Sequence, residues 1–390
     1  MQKMLPSKYF ITLRPLTPFF FGGENTFGEG AEANFFVRSN YLPQQTTLLG
    51  FLRYELLQQN KLIGTNPAQH NWQELIGRSS FCMQDGKFTD DFGAIKKISP
   101  VFLSNGTEHY VCQSFDWTMD EIETSDEGKK EKLFPLEYAG SSFEGSCNAG
   151  KMLEKIPAFK ADGKDFSQKN GTKPLWINAS GKRIKQWSHE REFETGRGFD
   201  NGFFIEESQV GIYRQTKRTK ADTGDFYTII SYRLADNFAF AFFADIELPE
   251  EKTFGSRLVT MGGERSVFDM KVKPADAGFE ELFTSNTFNE GRNDNRKAIV
   301  LTSDVYTTDD MMDLCDFAII ETTPFRNIAT VQQDKGDYIR IRGGAISKSA
   351  ELLYLLKRGS IFFADDCSRL KQSFTHNAFH TIGYNHFIEL

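Results

Sequence analysis

The sequence predicts an α+β fold built from two units, and three observations carry that expectation. The chain opens with a strand-like run, a glycine-rich loop and an amphipathic helix. Aromatic and β-branched runs return between 209 and 248, and a second series of strand-like and amphipathic segments starts near 255 and closes the chain. Strand, long loop and helix, in that order, begin a βαββαβ, or ferredoxin-like, unit.

The first element is "KYFITLRPLTPFFF" (8–21), a strand-like run that ends in proline-punctuated apolar chain; "GGENTFGEG" (22–30) follows as a loop. The helix spans about 46–59, inside "PQQTTLLGFLRYELL" and the residues after it. Leu48, Leu49, Leu52 and Leu56 form its apolar stripe, with Thr46, Gly50 and Arg53 on the other side. On the plain reading Gly50 is a helix-packing contact and Arg53 a surface charge.

From about 60 to 205 the periodicity weakens. The runs "DEIETSDEGKKEK" (120–132) and "KADGKDFSQKNGTK" (160–173) read as solvated loops of an insertion. Order returns with "QVGIYRQTKRTK" (209–220), a polar turn, "FYTIISYRL" and "FAFAFFADIEL", a hairpin and a further strand. The second block holds "RLVTMGGERSVFDMKV" (257–272), the strand "KAIVLTSDV" (297–305), the amphipathic "DDMMDLCDFAII", and a tail through "ELLYLLKRGSIFFADD" to "IGYNHFIEL". The boundaries expected are 1–250, with its insertion at about 60–205, and 251–390.

Composition narrows the function. A net charge of -7 opposes non-specific nucleic-acid binding by the whole surface, which leaves only a local basic groove. That groove could be "YRQTKRTK", where Arg214, Lys217, Arg218 and Lys220 fall close together; the same residues also suit an ordinary solvated strand edge. Five scattered cysteines without C-x-x-C suggest neither disulfide framework nor zinc site, and no apolar run approaches the roughly 20 residues that span a bilayer. A cytoplasmic protein without metal or cofactor is expected. The 38 phenylalanines must be buried or serve as stacking surface.

Catalytic signals are weak. Walker A, G-x-S-x-G and G-x-G-x-x-G are all absent, and the His376–His380 pair of "HNAFH" lacks the carboxylate of H-E-x-x-H. Glycine placement says more: "FGGENTFGEG", "MGGER", "RGGA", "RGS" and "IGY" set Gly beside Arg or an aromatic. Each reads as a hairpin turn, or as backbone that a phosphate can approach while its neighbour supplies charge or a stacking face.

Taken in order, "LRPLTPFFFGGENTFGEG", "LPQQTTLLGFLRYELL", "VGIYRQTKRTKADTGDFYTIISYRL", "MGGERSVFDMKV", "LKRGSIFFA" and "IGYNHFIEL" resemble the CRISPR-associated RAMP proteins. Among these the chain is most similar to the third-subunit family of the type III-B Cmr effector complex. The resemblance implies two ferredoxin-like (RRM-like) units that bind RNA without cutting it. It implies a seat on the 5′ handle of the guide RNA, against the large polymerase-like subunit and the backbone RAMP subunits, with no membrane contact. The RNA contacts it implies are Gly22, Gly23, Phe27, Arg38, Thr46, Gly50, Arg53, Arg214, Lys217, Arg218, Lys220, Gly262, Gly263, Arg265, Gly359, Ser360 and Gly383. The other readings are a guide-processing RAMP endoribonuclease using His386 and Tyr384, the equivalent subunit of another type III complex, and an unrelated intracellular binding protein.

Overall fold

A computed structural model describes residues 8–22, 36–66, 69–78, 80–81, 83–84, 87–125, 128–138, 157–161, 164–166, 176–181, 183–184, 203–213, 225–263, 265–290, 292, 297–325, 328–330, 346–348 and 352–390. The first strand, β1 (Lys8–Pro15), alternates as its sequence demands. Tyr9, Ile11 and Leu13 are buried on one face and Phe10 lies on the other. After β2 (Phe36–Arg38), helix α1 (Gln45–Gln59) lays Leu48, Leu52 and Leu56 into the same core as Tyr9, Ile11 and Leu13. The expected helix and its leucine stripe are therefore where periodicity places them.

Eight further strands complete the main sheet: β3 (Ile95–Ile98), β4 (Phe102–Ser104), β5 (His109–Cys112), β6 (Trp176–Asn178), β7 (Arg183–Ile184), and, after a separate hairpin of β8 (Phe204–Tyr213) and β9 (Asp225–Leu234), β10 (Ala239–Ile246), β11 (Arg257–Met261) and β12 (Ser266–Pro274). Their order is β7-β6-β5-β4-β10-β1-β12-β11, with β3 also pairing β10. Two expectations are corrected here. The region 60–205 is more than an insertion, because β3 to β7 come from it and pair into the main sheet. A boundary at 250/251 cuts that sheet, because β12 pairs with β1 from Tyr9↔Pro274 to Pro15↔Phe268. The strands Trp117–Ser125, Gly128–Tyr138, Pro157–Ala161 and Lys164–Phe166 do stand apart, as their own antiparallel sheet.

The last third builds a second sheet from β13 (Ala298–Leu301), β14 (Phe317–Ile319), β15 (Ile361–Phe363) and β16 (Phe387–Glu389), in the order β14-β15-β13-β16. The segment "DDMMDLCDFAII" is a 3-10 turn, Met311–Asp313, leading into β14, too short to be an amphipathic helix. Numbering four strands of each sheet by chain order gives the same arrangement twice. In the first, the neighbouring strands β4 (or β3), β10, β1 and β12 are second, third, first and fourth in the chain; β14, β15, β13 and β16 repeat that order. The flanking helices are complementary. In the first sheet α1 follows the first strand, and coil with β11 precedes the fourth; in the second, the 3-10 turn follows the first strand and helices Ser368–Phe374 and Asn377–Thr381 precede the fourth.

The sheets meet through apolar side chains. Phe10, Phe102, Ala241 and Phe243, on the face of the main sheet away from α1, pack with Phe279, Phe283, Phe288, Ala298, Val300, Ile361 and Phe363. The other face of β13, Ile299 and Leu301, packs on Leu370 and Phe374. Phe102 sits at the middle of the seam, with ring centroids 5.5 Å from Phe283 and 5.9 Å from both Phe243 and Phe279. Phe102→Ala should therefore lower stability by about 3–5 kcal/mol. Urea unfolding followed by circular dichroism measures it, and a midpoint equal to that of the parent would show that the seam does not hold the sheets together.

Candidate nucleic-acid interface

The "TPFFFG" stretch (17–22) leaves β1 and crosses to the three-stranded sheet β8-β9-β2. Phe19 N–H donates to the Tyr232 carbonyl at 2.8 Å and Tyr232 N–H to Phe19 O at 3.1 Å. Phe21 N–H donates to Ser39 Oγ, and Asn40 N–H to Phe21 O, both at 2.8 Å. This extended path buries Phe19 and Phe21 among Phe204, Tyr232, Phe240 and Phe268. Alternation then leaves Phe20 facing outward, half-buried.

Phe20 is framed by glycines. Its carbonyl accepts the Gly263 N–H at 2.9 Å. A Cβ at Gly263 would stand 3.2 Å from the Phe20 ring and one at Gly22 3.8 Å. Gly262, at φ +90, brings its backbone so close that a Cβ would lie 2.6 Å from Phe20 O. The glycines of "MGGER" thus serve first to let this turn approach Phe20 of the same chain. Exposed Arg265 closes the turn in left-handed conformation, φ 51.

On the other flank, Asn40 Nδ2 donates to Gly22 O at 3.3 Å, and β2 leads away from Asn40 with Phe36 52% exposed. Arg38 lies between, its guanidinium carbon 5.8 Å from the Phe36 ring centroid. Arg38 Nη1 donates to Glu206 Oε2 at 2.8 Å and to Tyr232 Oη at 2.9 Å. Behind it, the Tyr41 ring packs on Tyr232 with centroids 4.8 Å apart, and burial pushes the Tyr41 phenol well above its ordinary range. The result is one surface carrying an exposed ring, Phe36, a half-buried ring, Phe20, two arginines and glycine backbone.

The other expected contacts fall into two groups, those outside the described residues and those the structure places elsewhere. Gly23, Phe27, Arg214, Lys217, Arg218 and Lys220 lie outside the described residues. Arg53 is corrected: its residue exposure is 6%, its Nη2 donates to Asp91 O at 3.1 Å, and its guanidinium lies over Phe92. Burial brings the Arg53 guanidinium down to about 10. It turns inward because Phe92 and the Asp91 carbonyl offer it a face and an acceptor. Gly50 stays exposed, with nothing among the described residues within 4 Å of an added Cβ, so it packs against none of them.

Gly359, Ser360 and Gly383 are also corrected, because all three are buried. A Cβ at Gly359 would meet the Phe115 ring at 2.7 Å and Gln113 O at 2.9 Å. The Ser360 hydroxyl accepts the Glu321 N–H at 3.3 Å. At Gly383 a Cβ would overlap Gln45 Nε2 at 1.7 Å and Ser99 O at 2.6 Å. Thr46, in the first turn of α1, faces buried Tyr384 on the same side. These residues are packing devices between α1, the main sheet and the C-terminal turns.

The acid–base pair is also enclosed. Tyr384 is fully buried and its phenol is driven well above its ordinary range by that burial. His386 is 4% exposed, stacked on His380 at 4.0 Å between centroids, with its Nδ1 3.7 Å from Glu280 Oε1. Lys97 holds that same oxygen at 2.7 Å. Burial first, then His380, lowers the His386 imidazole to about 3. Neither side chain can reach a 2′-hydroxyl in this arrangement. Among the described residues no group of three or more His, Cys, Asp or Glu could hold a metal, and no described helix is long and apolar enough to cross a membrane.

Sequence reasoning missed Phe20, Phe36, Asn40, Glu206 and Tyr232. The signal for Phe20 was present, since strand alternation through three consecutive phenylalanines must turn the middle one away from its neighbours.

Fold and surface together define a class: an α+β protein with two like-ordered antiparallel sheets and an open aromatic–arginine surface beside glycine turns. The chain matches the family described as CRISPR-associated protein (Cas_Cmr3) over residues 11–389, and it belongs to that family. Among solved structures it is similar to a chain of the Type III-B Cmr-beta complex bound to cognate target RNA, with TM-score 0.48, 12% identity and coverage of 97% of this chain and 96% of that one. A chain of the same complex with cognate target RNA and AMPPnP gives 0.45, 12%, 97% and 95%. A chain of the Csm3–Csm4 subcomplex of the type III-A interference complex gives 0.34, 10%, 92% and 93%. No curated protein matches the sequence.

Two contrasts check the structural assignments. Gly50→Ala should raise stability by about 0.5–1 kcal/mol, since the site is an open helix interior, whereas Gly383→Ala should lower it by about 1–3 kcal/mol through overpacking. Thermal melts of the two variants should move in opposite directions. The second check is acid. His386 has a folded value below its ordinary 6.5, so the unfolded state binds its proton first and stability falls as pH drops from about 6.5 toward about 3. His386→Gln should flatten the midpoint-against-pH curve across that window; an unchanged slope would show that His386 is not the buried neutral group described.

Proposed function

We propose that the protein is a non-cleaving RNA-binding subunit of a type III CRISPR ribonucleoprotein in the cytoplasm. On this reading it holds the 5′ handle of the guide RNA and bridges the large polymerase-like subunit to the backbone RAMP subunits. Family membership supports the setting. The shared strand order of the two sheets supports reading each as a ferredoxin-like unit that has lost one of its two helices.

The observation that carries RNA binding is the Phe20–Phe36–Arg38 surface. Single-stranded RNA is held by stacking splayed bases on aromatic rings and by meeting phosphates with arginine or backbone N–H groups. Phe20 fits the first role because glycines at 22 and 263 leave no side chain to crowd its ring. Phe36 offers a second exposed ring, and Arg38 and Arg265 supply charge on either side. The enclosure of Tyr384 and His386 supports binding without cutting, because proton transfer requires a placed and accessible pair.

Removing the rings tests the reading. Phe20→Ala and Phe36→Ala should each weaken binding of a short fluorescein-labelled single-stranded RNA by about 1–3 kcal/mol, the worth of one stacked base. Fluorescence anisotropy measures affinity, with melting curves confirming that the variants fold. Parent-like affinity in the double variant would place RNA elsewhere on the chain.

A further inference from the structure

The way Arg38 is held says more than its charge. A guanidinium carries five N–H donors on three nitrogens. Both hydrogen bonds of the Arg38 side chain to described residues leave from Nη1: one to Glu206 Oε2 at 2.8 Å, one to Tyr232 Oη at 2.9 Å. Those two bonds use the two hydrogens of Nη1. Nε and Nη2 make no hydrogen bond to any described residue, and the side chain is 47% exposed. The Nε–Nη2 edge presents two parallel N–H groups, which match two oxygens of one phosphate.

The supports behind Arg38 are fixed by backbone pairing and, for Tyr232, by burial. Tyr232 is buried, pairs through its backbone with Phe19, and packs its ring on Tyr41 and Phe204. Glu206 lies on β8, within the ladder that pairs it with Tyr232 on β9. Phe36, two residues before Arg38 on the same strand, bounds the guanidinium on one side.

We propose that Glu206 and Tyr232 are positioning residues that tie down Nη1 so that the Nε–Nη2 edge of Arg38 takes one phosphate of single-stranded RNA in bidentate fashion. This rests on the RNA-binding reading and deepens it. No covalent step is involved. Arg38 contributes a fork geometry that lysine cannot reproduce, and Tyr232 contributes orientation through a hydroxyl without touching the RNA. Glu206 orients the guanidinium too, while its charge opposes the incoming phosphate.

The test measures anisotropy of the full-length protein with the labelled single-stranded RNA over a series of salt concentrations. Arg38→Ala should weaken binding and reduce the slope of log affinity against log salt by about one. Arg38→Lys should keep the slope, because its charge remains, yet bind about tenfold more weakly. Tyr232→Phe should weaken binding at unchanged slope and near-parent melting temperature, an effect that loss of structure alone would not give. Glu206→Gln, which keeps an acceptor and removes the charge, should bind as tightly as the parent or tighter. Parent-like affinity in Arg38→Lys would overturn the bidentate contact, and parent-like affinity in Tyr232→Phe would overturn the positioning role. If Arg38→Ala changes nothing while Phe20→Ala weakens binding, this inference fails and the RNA reading stands; if neither variant changes binding, or the parent binds no RNA, both fail.

Discussion

The Gln45 side chain is the constraint on which the rest of the architecture depends. Fully buried at the start of α1, it donates both amide hydrogens to carbonyls, Ser99 O at 2.8 Å and Ile382 O at 3.1 Å. Ser99 is itself tied to β10, through Phe243 N–H to its Oγ at 2.9 Å and its own N–H to Phe243 O at 2.8 Å. One amide therefore joins the first helix, the main sheet and the last turn before β16. Gly383 completes the joint, since any side chain there would occupy the place of the amide. Buried donors left without acceptors cost about 1–3 kcal/mol each, so the three segments must come together or leave these groups unpaired.

That joint explains how two incomplete units share one body. The main sheet has α1 on one face and needs a cover for Phe10, Phe102 and Phe243 on the other. The second sheet has its helices on one face and needs a cover for Ala298, Val300, Ile361 and Phe363. Each supplies the layer the other lacks, which makes a helix–sheet–sheet–helix stack. A buried Arg358, bonded to Asp304 through its backbone N–H at 2.9 Å and its Nε at 3.3 Å, adds polar order inside the second unit beside the seam.

Legibility followed the physics of each signal. The β1 alternation and the α1 leucines were readable because a period of 2 or 3.6 is a property of neighbouring residues. The strands β3 to β6 were not, since a three- or four-residue strand carries too few alternations to stand out from coil, and its pairing with β10 or its neighbours is long-range. The glycine turns were legible as close approaches and illegible as to what approaches: at 262 and 263 it is Phe20, at 383 it is Gln45, at 359 it is Phe115. Arg53 misled for a related reason. A charge opposite an apolar stripe reads as surface unless one knows that Phe92 and the Asp91 carbonyl fold over it, and nothing near Arg53 in sequence says so. The middle phenylalanine of "PFFFGG" was the reverse case, a local signal overlooked because its neighbours drew attention as loop glycines.

A chain of net charge -7 and a surface suited to RNA are compatible once the source of affinity is considered. At physiological salt, charges separated by more than about 8 Å are largely screened, so distant carboxylates oppose a bound phosphate only weakly. Among the described residues, Glu206 accompanies Arg38 and Glu207 accompanies Arg233, which leaves Arg265 as the added positive charge on this surface. Such a surface gains little from counterion release, which requires many uncompensated cations. On the proposed reading the affinity comes from stacking on Phe20 and Phe36 and from the shape of one fork of N–H donors, both of which depend on placement more than on charge. Placement is what the framing glycines, the Phe19–Tyr232 bridge and the Tyr232 hydroxyl provide, and it suits a subunit that grips a short defined segment better than one that tracks any polyanion.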